Sequence, residues 1–220
     1  MKLSQMRYLS LALTLLLCPL PSMAWDDFGL LQITNANVEI SQKSTLQIHT
    51  RLRTYRDSRQ FYQFRAGPVY MHAISPRVLG LAGYYYITQD NDSRAANTAT
   101  HRLWAGPQFR VLGARRWAID TRHLAERFVV MGKDDSTRVR NRAMLIYSNG
   151  RLQPFVSFEV LVQSGDWYER HAAGVQIRGK GQTSYSVSYE YRASPTGRGI
   201  HLIATTLQFR AFRLGPPHID

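Results

Sequence analysis

Residues 183–192 read Thr-Ser-Tyr-Ser-Val-Ser-Tyr-Glu-Tyr-Arg, and this stretch decides the fold class. Large apolar or aromatic side chains alternate strictly with polar or charged ones. In a β-strand successive side chains point to opposite faces, so this alternation predicts a strand with one apolar and one polar face. The apolar face holds Tyr185, Val187, Tyr189 and Tyr191, and the polar face ends in Glu190 and Arg192.

The same two-sided pattern recurs along the chain in segments of about 10–13 residues, the length that a tilted membrane-spanning strand needs. Ten such segments predict an all-β fold, an antiparallel up-and-down transmembrane β-barrel of about ten strands. The pattern does not assign the lipid side of 117–129. The other segments are 45–56, 59–72, 78–88, 101–111, 138–147, 152–163, 170–179 and 200–213.

The links between the segments alternate in length. Tight turns rich in Gly, Pro, Asn and Ser are predicted at 74–77, 113–116, 148–151 and 179–182. Longer links are predicted at 89–100, 130–137, 164–169 and 194–199. Short turns on the periplasmic side and longer loops outside are typical of outer-membrane barrels.

An eleventh, weaker strand candidate covers residues 26–40. Because single-chain bacterial barrels normally have an even number of strands, ten is the prediction and twelve the alternative. Residues 25–44 are therefore interpreted as an N-terminal lead or partial strand. The barrel is placed at 45–214, and a C-terminal tail at 215–220.

The first 24 residues have the pattern of a cleaved signal peptide. Lys2 and Arg7 precede an apolar run from Leu9 to Leu17, and Ser22-Met23-Ala24 offers small residues for cleavage. The only cysteine, Cys18, falls inside this segment. The sequence therefore predicts export, with the mature chain beginning at Trp25 and carrying no thiol.

The chain carries 28 Lys and Arg against 15 Asp and Glu, a formal net charge of +13. Export argues against nucleic acid as the partner of this charge. A soluble lipocalin-like barrel, with its polar face in water, is one alternative. The dense apolar face and the arginines on the opposite face favour a barrel in the bacterial outer membrane instead. The expected partners are then outer-membrane lipid, lipopolysaccharide and the barrel-assembly machinery.

Several strand patterns resemble a known family. They are the stretch from Leu46 to Tyr86, together with 101–104, 122–128 and 201–203. They resemble the bacterial outer-membrane proteins grouped as domain of unknown function 2490. The resemblance implies a barrel and no known activity. One departure is that the chain continues past Phe212, whereas outer-membrane barrels usually end on an aromatic residue.

Arginines on the polar faces are the strongest chemical pattern. They are expected in the lumen, where they either fill it by pairing with carboxylates or attract small anions into a narrow pore. The expected lumen cluster is Arg51, Arg53, Arg65, Arg102, Arg110, Arg138, Arg140, Arg142, Arg178, Arg192, Arg210, Glu159 and Glu190.

An enzyme acting on lipid is a further alternative, but the histidines are scattered singly and no nucleophile or metal-ligand motif appears. His101, with Asp90 and Asp92 nearby, is the cluster to test. The prediction is therefore no enzyme, no metal and no cofactor. Four basic residues are expected on the outer side, where anionic head groups would attract them: Arg94, Lys133, Arg170 and Arg198.

Overall fold

A computed structural model describes residues 27–90, 98–130, 132–179, 181, 183–193 and 199–213. The predicted signal peptide, the tail at 215–220, Arg94 and Arg198 lie outside these residues. Within them the chain forms eleven β-strands. These are β1 (Asp27–Glu39), β2 (Ser44–Tyr55), β3 (Gln60–Ser75), β4 (Val78–Gln89), β5 (Thr98–Ala114), β6 (Trp117–Val130), β7 (Ser136–Tyr147), β8 (Leu152–Gln163), β9 (Asp166–Arg178), β10 (Ser184–Ala193) and β11 (Ile200–Arg213).

The strands close into one barrel in which each strand pairs with its neighbours in sequence. All of these sequential pairs are antiparallel, and the barrel is closed by a parallel pair between β1 and β11. In that pair Asp27 lies opposite Ile200 and Glu39 lies opposite Arg213. Closure leaves no strand edge unpaired.

The strand count corrects the sequence prediction, which was ten or twelve. Residues 27–39, interpreted as a lead or partial strand, form a full strand of 13 residues that pairs on both sides. The odd number has a geometric consequence. In an up-and-down barrel with an odd number of strands, the first and last strands point the same way, so the closing pair has to be parallel.

The two ends of the barrel differ in their connections. We call the end with the links 40–43, 76–77, 115–116, 148–151 and 179–183 the tight-turn end. The opposite, long-loop end carries the links 56–59, 90–97, 131–135, 164–165 and 194–199. The longer link expected at 164–169 is wrong. Ser164 and Gly165 make a two-residue turn with positive φ values of 52° and 89°, and β9 begins at Asp166.

The outward faces carry the exposed large apolar side chains, and the inward faces carry most of the buried charge. Every strand exposes at least one large apolar side chain; Leu103, Trp167 and Val111 are 53%, 58% and 62% exposed. In β10, whose sequence opened the prediction, Tyr185 and Val187 point outward while Arg192 is buried inside. The alternation therefore sorts side chains between exterior and interior as the strand period requires.

Part of the interior is apolar. Val69, Leu81, Tyr85, Ile87, Trp104 and Leu124 pack into one buried cluster on the β3–β6 side. Gly83 leaves space for the Trp104 ring in this cluster, because Gly83 lies directly opposite Trp104 in the β4–β5 ladder. A Cβ atom added to Gly83 would come within 2.4 Å of the Trp104 ring.

We predict that Gly83→Val destabilises the barrel by about 1–3 kcal/mol, because the added methyl groups would displace Trp104 in a packed interior. The measurement is the free energy of unfolding in urea for the refolded protein. Gly80→Val is the matched control, since Gly80 faces outward on the same strand and an added Cβ there comes closest to the flexible end of Ile74, at 3.3 Å. Equal losses in the two variants would contradict the packing role of Gly83.

Candidate functional site: a cationic cavity inside the barrel

The interior encloses a cavity of about 430 Å³. Inward-facing side chains from all eleven strands line it. Eight members of the lumen cluster predicted from the sequence are among them. They are Arg51, Arg65, Arg102, Arg140, Arg142, Arg192, Glu159 and Glu190.

Two further members of the predicted cluster are inside but closer to the long-loop end. Arg53 is buried and lies over the ring of Tyr62, 4.7 Å from its centroid. Arg138 pairs with Glu126 at 2.6 Å. A register shift after Arg53 in the β2–β3 ladder accompanies this contact between Arg53 and Tyr62.

The other three members lie at the tight-turn end and do not join the cavity. Arg110 pairs with Asp120 at 2.8 Å, and its side chain is half exposed. The Arg178 guanidinium donates to Gln153 Oε1 at 3.0 Å. Arg210 lies 3.2 Å from Glu39 of β1.

Glu126, which the sequence analysis did not place in the cluster, holds one centre of an ion network. Its fully buried carboxylate accepts hydrogen bonds from three guanidiniums, those of Arg102, Arg138 and Arg140. The Arg140–Glu126 distance is 3.1 Å. These arginines come from β5 and β7, the two neighbours of β6, so the network ties three strands together inside the barrel.

Glu159 on β8 is the second centre. Arg140 donates to both of its oxygens, at 2.7 and 2.8 Å. Arg170 and Arg122 lie 3.3 and 3.5 Å from the same carboxylate. Arg140 therefore bridges the two glutamates and links β6, β7 and β8 through charge-assisted hydrogen bonds, while Arg170 adds β9 to the network.

Four inward guanidiniums have no such partner. Among the described residues, no carboxylate lies within salt-bridge distance of Arg51, Arg53, Arg65 or Arg142. The buried Nε atom of each makes no hydrogen bond to a described group. Arg53 and Arg65 instead lie over the rings of Tyr62 and Tyr85. The interior thus holds an excess of fixed positive charge.

Like charges also face each other across neighbouring strands. Arg51 lies opposite Arg65, Arg122 lies opposite Arg142, and Arg170 lies opposite Arg192. Directly opposite side chains have Cβ atoms about 5 Å apart, so like charges at such positions destabilise a sheet. Glu159 and Glu190 offset this for two of the pairs. No described acid lies within salt-bridge distance of the Arg51–Arg65 pair, and Glu190 acts on Arg51 only from a longer distance.

Four charged residues inside the barrel lie outside the cluster predicted from the sequence: Arg122, Arg170, Glu126 and Asp120. Arg122, Glu126 and Asp120 lie on β6. Acids, an arginine and apolar residues share the inward face of this strand, so the sequence pattern did not show which face points inward. Arg170 was expected on the outer side because the preceding link was drawn too long. It lies instead inside the barrel, in the cavity wall.

The histidine expected as the catalytic alternative points outward. His101 Nδ1 is 2.7 Å from the hydroxyl of Tyr84, and Asp90 accepts a hydrogen bond from Gln60. Asp92 lies outside the described residues. In the part of the chain that the structure describes, no group of three or more His, Cys, Asp or Glu side chains could hold a metal ion. No helix within that part has the length and apolar character of a membrane span.

A comparison with protein families identifies the class of this barrel. The family described as "Protein of unknown function (DUF2490)" matches residues 28–199. This range extends from the start of β1 to the link before β11, and the chain belongs to that family. No curated protein and no solved structure matches the chain.

We predict that Glu159→Gln lowers the free energy of unfolding by about 3–5 kcal/mol, because it leaves Arg140, Arg170 and Arg122 buried around a neutral amide. Urea unfolding of the refolded protein measures this. Glu169→Gln is the control: Glu169 lies on the outward face, forms an ion pair with His171 alone among the described residues and should change stability by less than about 0.5 kcal/mol. A similar loss in both variants would contradict the structural role of the Glu159 network.

Proposed function

We propose that this protein is a bacterial outer-membrane β-barrel with a narrow, anion-preferring interior. The observation that carries the proposal is the sorting of its side chains. Every strand exposes at least one large apolar side chain, while buried arginines, in excess over carboxylates, line the cavity. An apolar exterior suits lipid, and closed strand pairing is what a hydrocarbon environment requires.

The soluble alternative, a lipocalin-like barrel, requires the reverse arrangement. Its polar face would meet water and an apolar face would fill the interior. Here an exterior that includes Leu103, Val111 and Trp167 would expose a large apolar surface to water. Such a surface marks a protein or membrane contact and is rare on soluble monomers. The membrane interpretation is therefore favoured.

The interior supports binding or slow passage of anions more than free diffusion. Near the long-loop end, Leu161, Leu202 and Arg102 are almost completely buried, so side chains fill the barrel there. Deeper inside, unpaired guanidiniums surround the cavity, and fixed positive charge lowers the cost of admitting an anion. The proposed role is non-catalytic, with small anions as solutes and outer-membrane lipid and lipopolysaccharide around the exterior.

The proposed orientation places the tight-turn end in the periplasm. Because Cys18 is the only cysteine and lies in the predicted signal peptide, single-cysteine variants of the mature chain are clean probes. We expect a membrane-impermeant maleimide to label Arg59→Cys, at the long-loop end, on intact cells. Arg151→Cys, in an exposed turn at the other end, should label only after the outer membrane is permeabilised.

Both variants should sediment with the outer membrane. The wild-type protein, whose predicted mature chain has no cysteine, is treated in the same way as the background control. Labelling of Arg151→Cys alone on intact cells would reverse the orientation. Recovery of the mature protein in the soluble periplasmic fraction would overturn the membrane assignment altogether.

In a planar bilayer under a potassium chloride gradient, we expect rare, small conductance events whose reversal potential lies on the chloride side. Replacing both Arg51 and Arg65 by Gln should move the reversal potential toward zero, because it removes unpaired positive charge from the cavity. Arg59→Gln, an exposed substitution outside the cavity, should leave the reversal potential unchanged. Cation selectivity of the wild-type protein would contradict the proposal.

A further inference from the structure

The cavity has two chemically different walls. One wall carries the guanidiniums, which come from β2, β3, β5, β6, β7, β9 and β10. The other wall is apolar and comes mainly from β1, β3 and β4. Its side chains are Leu31, Ile33, Val69, Met71, Leu79 and Leu81.

The Arg51–Arg65 pair lies where the two walls meet. Arg51 is only 7% exposed, and Arg65 lies over the ring of Tyr85 at 5.2 Å. The ring of His49 also contacts Tyr85, at 4.9 Å between centroids, and its buried Nε2 atom has no hydrogen-bond partner among the described residues. This corner of the cavity therefore offers two positive charges and further unpaired nitrogen atoms.

An apolar strip begins beside this pair and runs to the tight-turn end. On β3 the inward positions beyond Arg65 lead through Val69 to Met71, and Met71 lies opposite Leu81 of β4. Leu79 continues the strip one inward position further toward the tight turn. The order along the barrel is thus a cationic corner at mid-depth, followed by a continuous apolar wall.

We propose that the cavity binds a single-chain amphiphilic anion, with its carboxylate or phosphate at Arg51 and Arg65 and its alkyl chain along the apolar strip. This inference rests on the proposed anion-preferring interior and names its ligand class. Paired guanidiniums bind carboxylate and phosphate oxygens through bidentate hydrogen bonds. Burial of each methylene against the strip adds affinity.

Simpler ligands leave half of the site unused. An inorganic anion would neutralise Arg51 and Arg65 but leave the strip from Val69 to Leu79 facing water. A purely apolar molecule would cover the strip but leave the guanidinium pair without a counter-charge. The cavity volume of about 430 Å³ lies in the usual range of small-molecule sites, about 300–1,000 Å³.

Trp104 provides a reporter inside the cavity. It lines the cavity and lies 5.6 Å from Tyr85 between ring centroids, whereas Trp117 and Trp167 are exposed on the exterior. A variant with Trp25, Trp117 and Trp167 replaced by Phe, reconstituted in lipid nanodiscs, therefore reports quenching at the cavity. The probe is a terminally brominated decanoate, with the matching alkyl phosphate as a second arm.

We expect saturable quenching of Trp104 by both anionic probes. The double variant Arg51→Gln and Arg65→Gln should raise the half-quenching concentration about tenfold or more, because each charge-assisted hydrogen bond lost is worth about one such factor. Leu81→Asn should weaken binding in the same direction. Arg59→Gln, outside the cavity, is the control, and unfolding midpoints verify that each variant is folded.

Three results would overturn the inference. Equal quenching by a brominated alkyl-trimethylammonium of the same chain length would show partitioning without charge recognition. Quenching by bromoacetate at the same concentrations as by the long-chain probe would show a small-anion site without a chain site. In that case the anion-selective conductance would remain intact, so the two proposals fail separately. No quenching by either long-chain anion would show that the cavity excludes the chain.

Discussion

Positive charge buried inside a closed barrel is the constraint on which the rest of the structure depends. Guanidinium groups that leave water need carboxylates, aromatic faces or further hydrogen-bond acceptors. Glu126 and Glu159 meet this need for Arg102, Arg138 and Arg140, and Arg140 joins the two centres. With Arg170 of β9, which also approaches Glu159, the ion network connects β5 to β9. The apolar cluster around Tyr85 and Trp104 connects β3 to β6 and overlaps the network on β5 and β6.

The ion network and the apolar cluster together explain why the cavity is asymmetric. Where apolar side chains supply the packing, as along β3 and β4, no described carboxylate lies within salt-bridge distance of Arg51 or Arg65. Where the glutamates lie, on β6 and β8, most guanidiniums are neutralised. Three of the four guanidiniums without a described carboxylate partner, those of Arg51, Arg53 and Arg65, thus lie on β2 and β3. The same asymmetry supports an anionic ligand with an apolar part, because such a ligand would contact both the guanidiniums and the apolar wall.

The sequence predicted the strands better than it predicted the site. Period-two alternation predicted the bounds of β10 and β8 closely, because polar and apolar residues alternate regularly in each strand and a tight turn precedes each one. The inward arginines of β2 and β7 followed from the same pattern. Glu126 and Arg122 did not, because β6 mixes charged and apolar residues on one face, and only its neighbours reveal that both kinds point inward. Which residues pair across neighbouring strands depends on the register between the strands, and the sequence of a single strand does not show that register.

The closing pair of β1 and β11 shows how a weak local pattern can still form a full strand. A parallel ladder is slightly less stable per residue than an antiparallel one, and this one joins the two ends of the chain. Two features compensate. Leu31, Leu202 and Ala204 form a second buried apolar cluster directly inside the pair. At the tight-turn end, Arg210 and Arg213 of β11 both approach Glu39 of β1. The alternation of residues 27–39 is poor because this strand carries no arginine and its two acids, Asp27 and Glu39, lie at its ends.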